Sequence, residues 1–337
     1  MNTRRFTAAP LIAVVIAILV AGCASAGRGA AVTPAAAAPE EADITVAALP
    51  AVDLASLYIA QDRGLFAKQG LHVTIEKIAS SQAIITDQLK GQVDISAGSY
   101  VPYISAQAAG ARFHILAEAS TLGPGSRALV VSANSPITTV GQLVGRRIGL
   151  NGTNSIGTLL VSALLAQHGV SPKKVHFITD PAGFPAMPGE LNDGVWSAAF
   201  LSEPYVTVAA ERYGEQVLAD LDQGDLMNFP IDGYVATQAW AQRYPKTAAA
   251  FVRAIEEGQL LAETDAAAVQ AAMGKYDNLP PIVTAGIVPS HYPIGPVNQT
   301  RIQRVATAML QFGMLGRADA AEVQQGTLVG SMVRLGS

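Results

Sequence analysis

The sequence predicts an α/β fold organised as two lobes, and three observations carry that prediction. Between Ile44 and Thr237, short apolar runs alternate with segments of helical period, the pattern of strands laid between helices. Roughly 295 residues follow an N-terminal stretch rich in Ala, Gly and Pro, long for a single core. An internal echo completes the case. Val93-Asp94-Ile95-Ser96 leads to Pro102-Tyr103, and Val195-Trp196-Ser197-Ala198 leads at the same spacing to Pro204-Tyr205. Each reads as a strand, a loop, and a helix with Pro near its first turn, where the missing N–H costs nothing. Two like units, each offering a strand-to-helix loop, predict a shared cleft at the carboxyl ends of strands.

The elements follow in order. Ile44 to Ala47 is a strand candidate, and Asp53 is placed to N-cap a helix over Leu54 to Asp62. Leu71 to Ile75 is the next strand. Ser81 caps a helix that runs to Leu89 and stops at Gly91. Val93 to Ser96 is a strand, followed by a helix from Val101 to Ala109. Phe113 to Ala117 and Ala128 to Ser132 are strands. The second unit has a helical turn over Ile137 to Leu143, a strand over Arg147 to Leu150, and a helix capped by Ser155 that ends at His168. Strands over Val175 to Ile178 and Ser197 to Leu201, a helix from Glu203 to Tyr213, and a strand over Val217 to Ala219 complete it. After a strand at Gly233 to Thr237 the chain becomes helical: Thr247 to Leu261, Asp265 to Met273, and Asn298 to Phe312.

The N-terminus is a targeting signal. Arg4 and Arg5 precede an apolar run from Leu11 to Ala21, too short for a bilayer core, which needs about 20 residues. The run ends at Val20-Ala21-Gly22-Cys23, which resembles the bacterial lipobox. Residues 1–22 are therefore expected to be a cleaved signal peptide. Cys23 is expected to carry diacylglycerol and palmitate, and residues 23–42 to form a flexible tether. The expected location is the extracytoplasmic face of the cell membrane. Cys23 is the sole cysteine, so no disulfide forms within the chain, and its acylation leaves no thiol for a metal or for catalysis.

Loss of Arg4 and Arg5 takes the formal charge from −4 to about −6. An acidic chain without a Lys/Arg cluster is not a nucleic-acid binder. Any anion site must be built locally, from helix N-termini and backbone N–H groups.

Candidate ligand contacts follow from that requirement. Ser81 and Gln82, with Ser80, begin one helix, and Asn154 and Ser155 begin another. Each pair offers side-chain groups beside free N–H groups, although plain N-capping accounts for such residues equally well. Ser99 and Tyr100 occupy a strand-to-helix loop, Ser126 precedes a strand, and Phe184 sits in a Pro/Gly-rich loop where a ring covers a flat ligand. Glu203 opens a helix and either supports it or receives a ligand nitrogen. Asp232, beside Gly233, either touches ligand or caps a turn. Tyr103 and Tyr205 read as core residues. The five histidines lack metal-ligand spacing, and no nucleophile elbow or dinucleotide fingerprint occurs. No catalytic residue, cofactor or metal is expected.

The chain resembles the ABC-transporter solute-binding proteins of the nitrate/sulfonate/taurine type, related to thiamine-pyrimidine-synthase-like proteins. Leu57-Tyr58-Ile59-Ala60 with Gly64-Leu65-Phe66 and Gly70-Leu71, Gly91-Gln92-Val93-Asp94, Ser135-Pro136-Ile137, Glu203-Pro204, Phe229-Pro230 and Asn298 onward with Gly313 carry the likeness. It implies a two-lobed periplasmic-binding-protein-like fold (type II), each lobe a mixed sheet flanked by helices, with a two-strand hinge. Lobe 1 is expected over 43–130 plus 232–337 and lobe 2 over 131–231, with crossovers at Leu129 to Val131 and Pro230 to Thr237. The implied protein is a monomer that is not an enzyme. It closes on a small organic solute, sulfonate/taurine/nitrate-like or pyrimidine/thiamine-precursor-like, and docks on an ABC permease with its ATPase. A ligand-sensing lipoprotein for a membrane kinase and a pyrimidine-synthase-like enzyme are the alternatives. The resemblance implies Asp where this chain has Trp196, a departure that bears on the polarity of the second lobe's pocket.

Overall fold

Ten strands form two five-stranded mixed sheets with the same internal order in this computed structural model, which describes residues 38–78 and 80–335. The expected signal peptide, Cys23 and residues 24–37 of the tether lie outside the described residues. The chain begins with β1 (Asp43–Ala48), a 3-10 turn (Val52–Leu54), α1 (Ala55–Asp62), α2 (Leu65–Lys68) and β2 (His72–Lys77). It continues through α3 (Ser81–Leu89), β3 (Ile95–Ser99), α4 (Tyr100–Ala108) and β4 (Phe113–Thr121). The second sheet is built from β5 (Arg127–Val131), β6 (Arg147–Leu150), α5 (Ile156–Gln167), β7 (His176–Thr179), α6 (Met187–Asn192), β8 (Ala198–Ser202), α7 (Tyr205–Tyr213) and β9 (Gln216–Asp220). Then β10 (Pro230–Thr237) returns to the first sheet, followed by α8 (Gln238–Arg243), α9 (Pro245–Thr264), α10 (Ala266–Tyr276), α11 (Pro281–Gly286), α12 (Gln299–Gln311), α13 (Ala320–Gln325) and α14 (Thr327–Val333).

The strand orders are β2-β1-β3-β10-β4 and β7-β6-β8-β5-β9. The echo in the sequence has its cause here. β3 and β8 are the central strands of their sheets, each parallel to one neighbour (β1, β6) and antiparallel to the other (β10, β5). The chain crosses between sheets twice, through 122–126 and 221–229. Pairing keeps both flanking strands whole: all of β5 bonds within the second sheet and all of β10 within the first. The expected boundary between Val130 and Val131 falls inside β5, and the one between Ile231 and Asp232 falls inside β10.

Two apolar clusters hold this frame. Val46, Leu57, Phe66, Phe251 and Ile255 pack α1 and α9 on one face of the first sheet. Another cluster runs from Tyr103 and Val305 on α4 and α12 into Leu129, Ile148, Leu160 and Phe200 around the second sheet. Burial of a Leu or Phe side chain contributes about 1.5–3 kcal/mol, so such stretches fix both the lobes and their seam.

Three local expectations change. Asp53 caps no helix: α1 begins after Leu54, with no side-chain cap, because the Asp53 carboxylate is engaged elsewhere. Ser80, rather than Ser81, caps α3 by accepting from Ala83 N. Glu203 does not open a helix; α7 starts at Tyr205. Ser155 caps α5 as expected, accepting from Thr158 N.

Candidate functional site

A cleft of about 220 Å³ lies between the sheets, room for a small solute. Its walls come from the carboxyl ends of the parallel strands. Leu49 follows β1, Ser80, Ser81 and Gln82 follow β2, and Ser99 ends β3. Opposite them, Asn151, Gly152, Thr153, Ser155 and Ile156 follow β6, and Thr179, Asp180, Pro181 and Phe184 end and follow β7. Pro102 completes the first wall, and Arg127 and Asp232 lie where β5 and β10 enter.

The floor is set by symmetry of register. Asp232 pairs with Ser99, the last residue of β3, and Arg127 pairs with Ser202, the last residue of β8. Equivalent places in the two sheets thus carry opposite charges, and Arg127 Nη2 stands 3.7 Å from Asp232 Oδ2. Arg127 also reaches Asp53, with Nη2 at 2.5 Å from Oδ2. Asp53 accepts three hydroxyl bonds besides: from Ser120 and Ser290 on Oδ1, at 3.1 and 3.0 Å, and from Ser202 on Oδ2 at 3.1 Å. Buried ion pairs persist when the remaining lone pairs are satisfied, and Asp53 meets that condition. The Arg127 guanidinium also lies 5.7 Å from the centre of the Phe200 ring, within cation–π range.

Asp232 is different. It is fully buried, and neither carboxylate oxygen has a hydrogen-bond partner. Burial raises its pKa, the Asp53 charge adds to the rise, and Arg127 opposes it. Arg127 Nε, Asn151 Oδ1 and Asp180 Oδ2 are likewise buried without partners. Native interiors leave few such atoms, and five of the thirteen found among the described residues belong to side chains lining this cleft.

The structure brings Ser81, Gln82, Ser99, Ser155, Phe184 and Asp232 together in this cleft. Ser81 Oγ accepts from Ser99 N at 3.1 Å, tying two cleft loops to one another. Phe184 stacks on Tyr205, with centroids 6.0 Å apart. Four expected contacts lie elsewhere. Tyr100 is fully buried with its ring against Gly233, where an added Cβ would come within 2.6 Å of the ring. Ser126 is buried in the first crossover and donates to the Gly123 carbonyl at 2.8 Å. Asn154 is exposed, in the left-handed region at φ 47, and its neighbour Ser155 faces the cleft instead. Trp196 also lies away from the cleft, buried against Gly149.

Glu203 forms the seam between the sheets. Its carbonyl accepts from Val52 N at 3.0 Å, and its N–H donates to the Ser126 carbonyl at 2.9 Å. Its side chain accepts from Thr207 N at 3.2 Å and from Val288 N at 3.4 Å. Thr207 Oγ1 lies 2.8 Å from Glu203 Oε1 and 3.2 Å from the Gly286 carbonyl. One hydroxyl hydrogen cannot serve both. A protonated Glu203 resolves this by donating to Thr207, which then donates to Gly286. Burial pushes the Glu203 carboxyl up to about 7, in keeping with that arrangement.

Sequence reasoning missed Arg127, Asn151, Thr179 and Asp180 at the cleft. Arg127 carried one signal, a lone cation opening an otherwise apolar strand. Among the described residues no group of three His, Cys, Asp or Glu is arranged to hold a metal. No helix among them is long and apolar enough to cross a membrane.

Comparison with known proteins places this geometry. A putative aliphatic sulfonates-binding protein of Escherichia coli K12 is 27% identical over 212 residues, 62% of this chain and 64% of that protein. The match therefore spans slightly under two thirds of that relative's length. The alkanesulfonate-binding protein SsuA from Xanthomonas axonopodis pv. citri, solved bound to MOPS, superposes with a TM-score of 0.74 at 19% identity, covering 88% of this chain and 99% of that one. The periplasmic nitrate-binding protein NrtA from Synechocystis PCC 6803 gives 0.74 at 16% identity, covering 89% and 88%. A desulfurization enzyme, DszB, shares the fold at 0.63 and 15% identity, over 86% and 99%, so the fold alone does not separate binding from catalysis. The family model described as NMT1/THI5 like matches residues 51–266, more than half of the sequence, and the chain belongs to that family.

Proposed function

We propose that this protein is the extracytoplasmic solute-binding lipoprotein of an ABC importer. It takes a small solute into the cleft without chemical change. The range of solutes is sulfonate-, taurine- or nitrate-like on one side and pyrimidine- or thiamine-precursor-like on the other. The observation that carries this reading is the cleft itself. Helix-leading residues Ser80–Gln82 and Ser155 approach it from opposite sheets, and four buried side chains around it hold unpartnered polar atoms. A ligand bridging the two walls satisfies those atoms and draws the lobes together, the closure that a permease reads. In this reading the protein works as a monomer, and the acyl chain on Cys23 keeps it beside its permease and ATPase, raising the local concentration.

The family membership and the sulfonate- and nitrate-binding relatives support the transport role. Micromolar affinity needs about 8 kcal/mol, within reach of several charge-assisted hydrogen bonds. The test is a thermal-shift screen of the purified mature protein against ethanesulfonate, taurine, nitrate and aminopyrimidines, with small-angle scattering of each hit. A rise in Tm accompanied by a smaller radius of gyration is expected for at least one solute. No shift from any solute at millimolar concentration refutes the reading.

A further inference from the structure

We propose that the solute presents a cationic, N–H-donating nitrogen group to Asp232 and Asp180. The proposal rests on the solute-binding reading above and concerns what the cleft selects. Three carboxylate oxygens at the cleft are buried without a hydrogen-bond partner: both of Asp232 and Oδ2 of Asp180. Asp232 is 0% exposed and Asp180 3%. The two belong to different sheets, Asp232 to β10 of the first and Asp180 to the loop after β7 of the second. Among the described residues that line the cleft, the single buried donor atom left unpartnered is Arg127 Nε. Orphaned acceptors thus outnumber orphaned donors, and the imbalance is made of carboxylates.

Charge points the same way. The one cation at the floor, Arg127, is already matched by Asp53 at 2.5 Å. Asp232, 3.7 Å from the same guanidinium, makes no hydrogen bond to it, and Asp180 has no ion-pair partner among the described residues. A ligand anion at the floor would stand against these carboxylates, with only an occupied arginine to receive it. An amidinium, guanidinium or protonated amino-heterocycle brings N–H donors for the orphaned oxygens and the missing positive charge. Charge-assisted bonds of that kind are about twice as strong as neutral ones. Asn151 Oδ1, also unpartnered, adds an acceptor on the same wall, and Phe184 offers an apolar surface nearby.

The helix N-termini do not reverse this selection. Ser80 and Ser155 turn their hydroxyls onto N–H groups of their own helices, and Ser81 accepts from Ser99 N. The N–H groups of Ala83, Thr158 and Ser99 are thereby used within the fold, and what these serines keep for a solute is a neutral hydroxyl donor rather than a charge.

The test uses the full mature protein and probes matched in size but not in charge. Benzamidinium, benzamide and benzenesulfonate share a ring, while guanidinium and nitrate are planar ions of opposite sign. Binding of each is measured by calorimetry. The expected order puts the cations first, with at least a tenfold loss of cation affinity in Asp232→Asn and in Asp180→Asn. Asp180→Asn keeps the Oδ1 that accepts from Ala182 N, so it remains informative should Asp232→Asn fold poorly. If benzenesulfonate, nitrate or benzamide binds tightest, or if cation binding survives both substitutions, the proposal is overturned and the solute-binding reading stands. If no probe of any charge binds, and the wider screen of solutes is also silent, both fail together.

Discussion

Arg127 and Asp53 form a buried ion pair that joins the two sheets, with 2.5 Å between Nη2 and Oδ2. Asp53 lies just after β1, and Arg127 is the first residue of β5 after the crossover. The pair sits directly behind the cleft floor, where Asp232 shares the same guanidinium. Three serines from three separate segments, Ser120, Ser202 and Ser290, close the remaining positions on Asp53. The seam between the lobes is thus polar at its centre and apolar around it.

Removing one partner of such a pair leaves a buried charge without compensation, which costs about 3–5 kcal/mol. Arg127→Met is expected to lower the unfolding free energy by that amount, because Asp53 and Asp232 both lose their cation. Asp53→Asn combined with Arg127→Met should recover part of the loss, since the serine hydroxyls still find an amide oxygen. Urea denaturation of the wild type, both single variants and the double variant measures the coupling. Additive losses in the double variant would show that the pair does not act as a unit.

The non-local character of this pair explains what the sequence could and could not reveal. Asp53 before an apolar helical run has the local form of an N-cap, yet its partners come from Ser120, Arg127, Ser202 and Ser290. Local reading succeeded where structure is local. Ser155 caps α5, Arg147–Leu150 is a strand with the expected bounds, and the echoed segments lead into the two central strands, β3 and β8. The cleft was half legible, because Ser81, Ser99 and Ser155 sit at helix starts that periodicity locates. Asn151 and Asp180 were not, since a polar residue after a strand looks the same whether it faces solvent or a partner lobe. From the sequence Glu203 reads as opening a helix, to support it or to receive a ligand nitrogen, but Thr207 and Val288 at the seam claim its side chain.

Glu203 gives the seam a dependence on pH. Its folded-state pKa of about 7 stands above the ordinary value of 4.5, so the protonated form is the one the fold prefers. Below pH 4.5 the carboxyl is neutral in both folded and unfolded chains and carries no penalty. As pH rises toward 7 the unfolded chain ionises first, and the folded state loses up to about 3 kcal/mol relative to it. Stability is therefore expected to fall between pH 5 and pH 7.5. Glu203→Gln should remove this part of the slope, because the amide stays neutral. Glu215, buried and raised to about 8 by that burial, adds a slope of the same sign. The difference between wild type and Glu203→Gln in denaturant titrations across that range isolates the seam. Parallel profiles would contradict the protonated arrangement with Thr207 and Gly286.

Trp196 fills space next to β6 and does not tune the pocket. An added Cβ on Gly149 would lie 2.5 Å from the indole ring, so the glycine is what lets the ring lie flat on the strand. Gly149→Ala is expected to force the indole aside and cost about 1–3 kcal/mol. Trp196→Asp, which restores the residue type that the family resemblance implies, should be worse, because it empties an apolar site and buries a carboxylate there. Trp196 does not line the cleft, so solute affinity of either variant, measured below its Tm, should stay within twofold of wild type. A tenfold change in affinity would restore Trp196 as a determinant of specificity.

Cys23 tests the anchor separately from the binding site. The apolar run Leu11 to Ala21 ends at Val20-Ala21-Gly22-Cys23, and the next Ala, Gly and Pro-rich residues lead to the first described residue, Ala38. If the thiol is acylated, two lipid-borne signals hold the chain at the membrane far more firmly than one acyl chain does. Cys23→Ala should then move the protein from the membrane fraction to the soluble extracytoplasmic fraction. The β1 strand begins at Asp43, twenty residues after Cys23, so the Tm and the solute affinity of the released protein should match those of the anchored form. Solute uptake by cells should fall as the local concentration at the permease falls. Retention of Cys23→Ala in the membrane fraction would show that something other than Cys23 holds the protein there, and mass spectrometry of the mature N-terminus would then identify the true cleavage point.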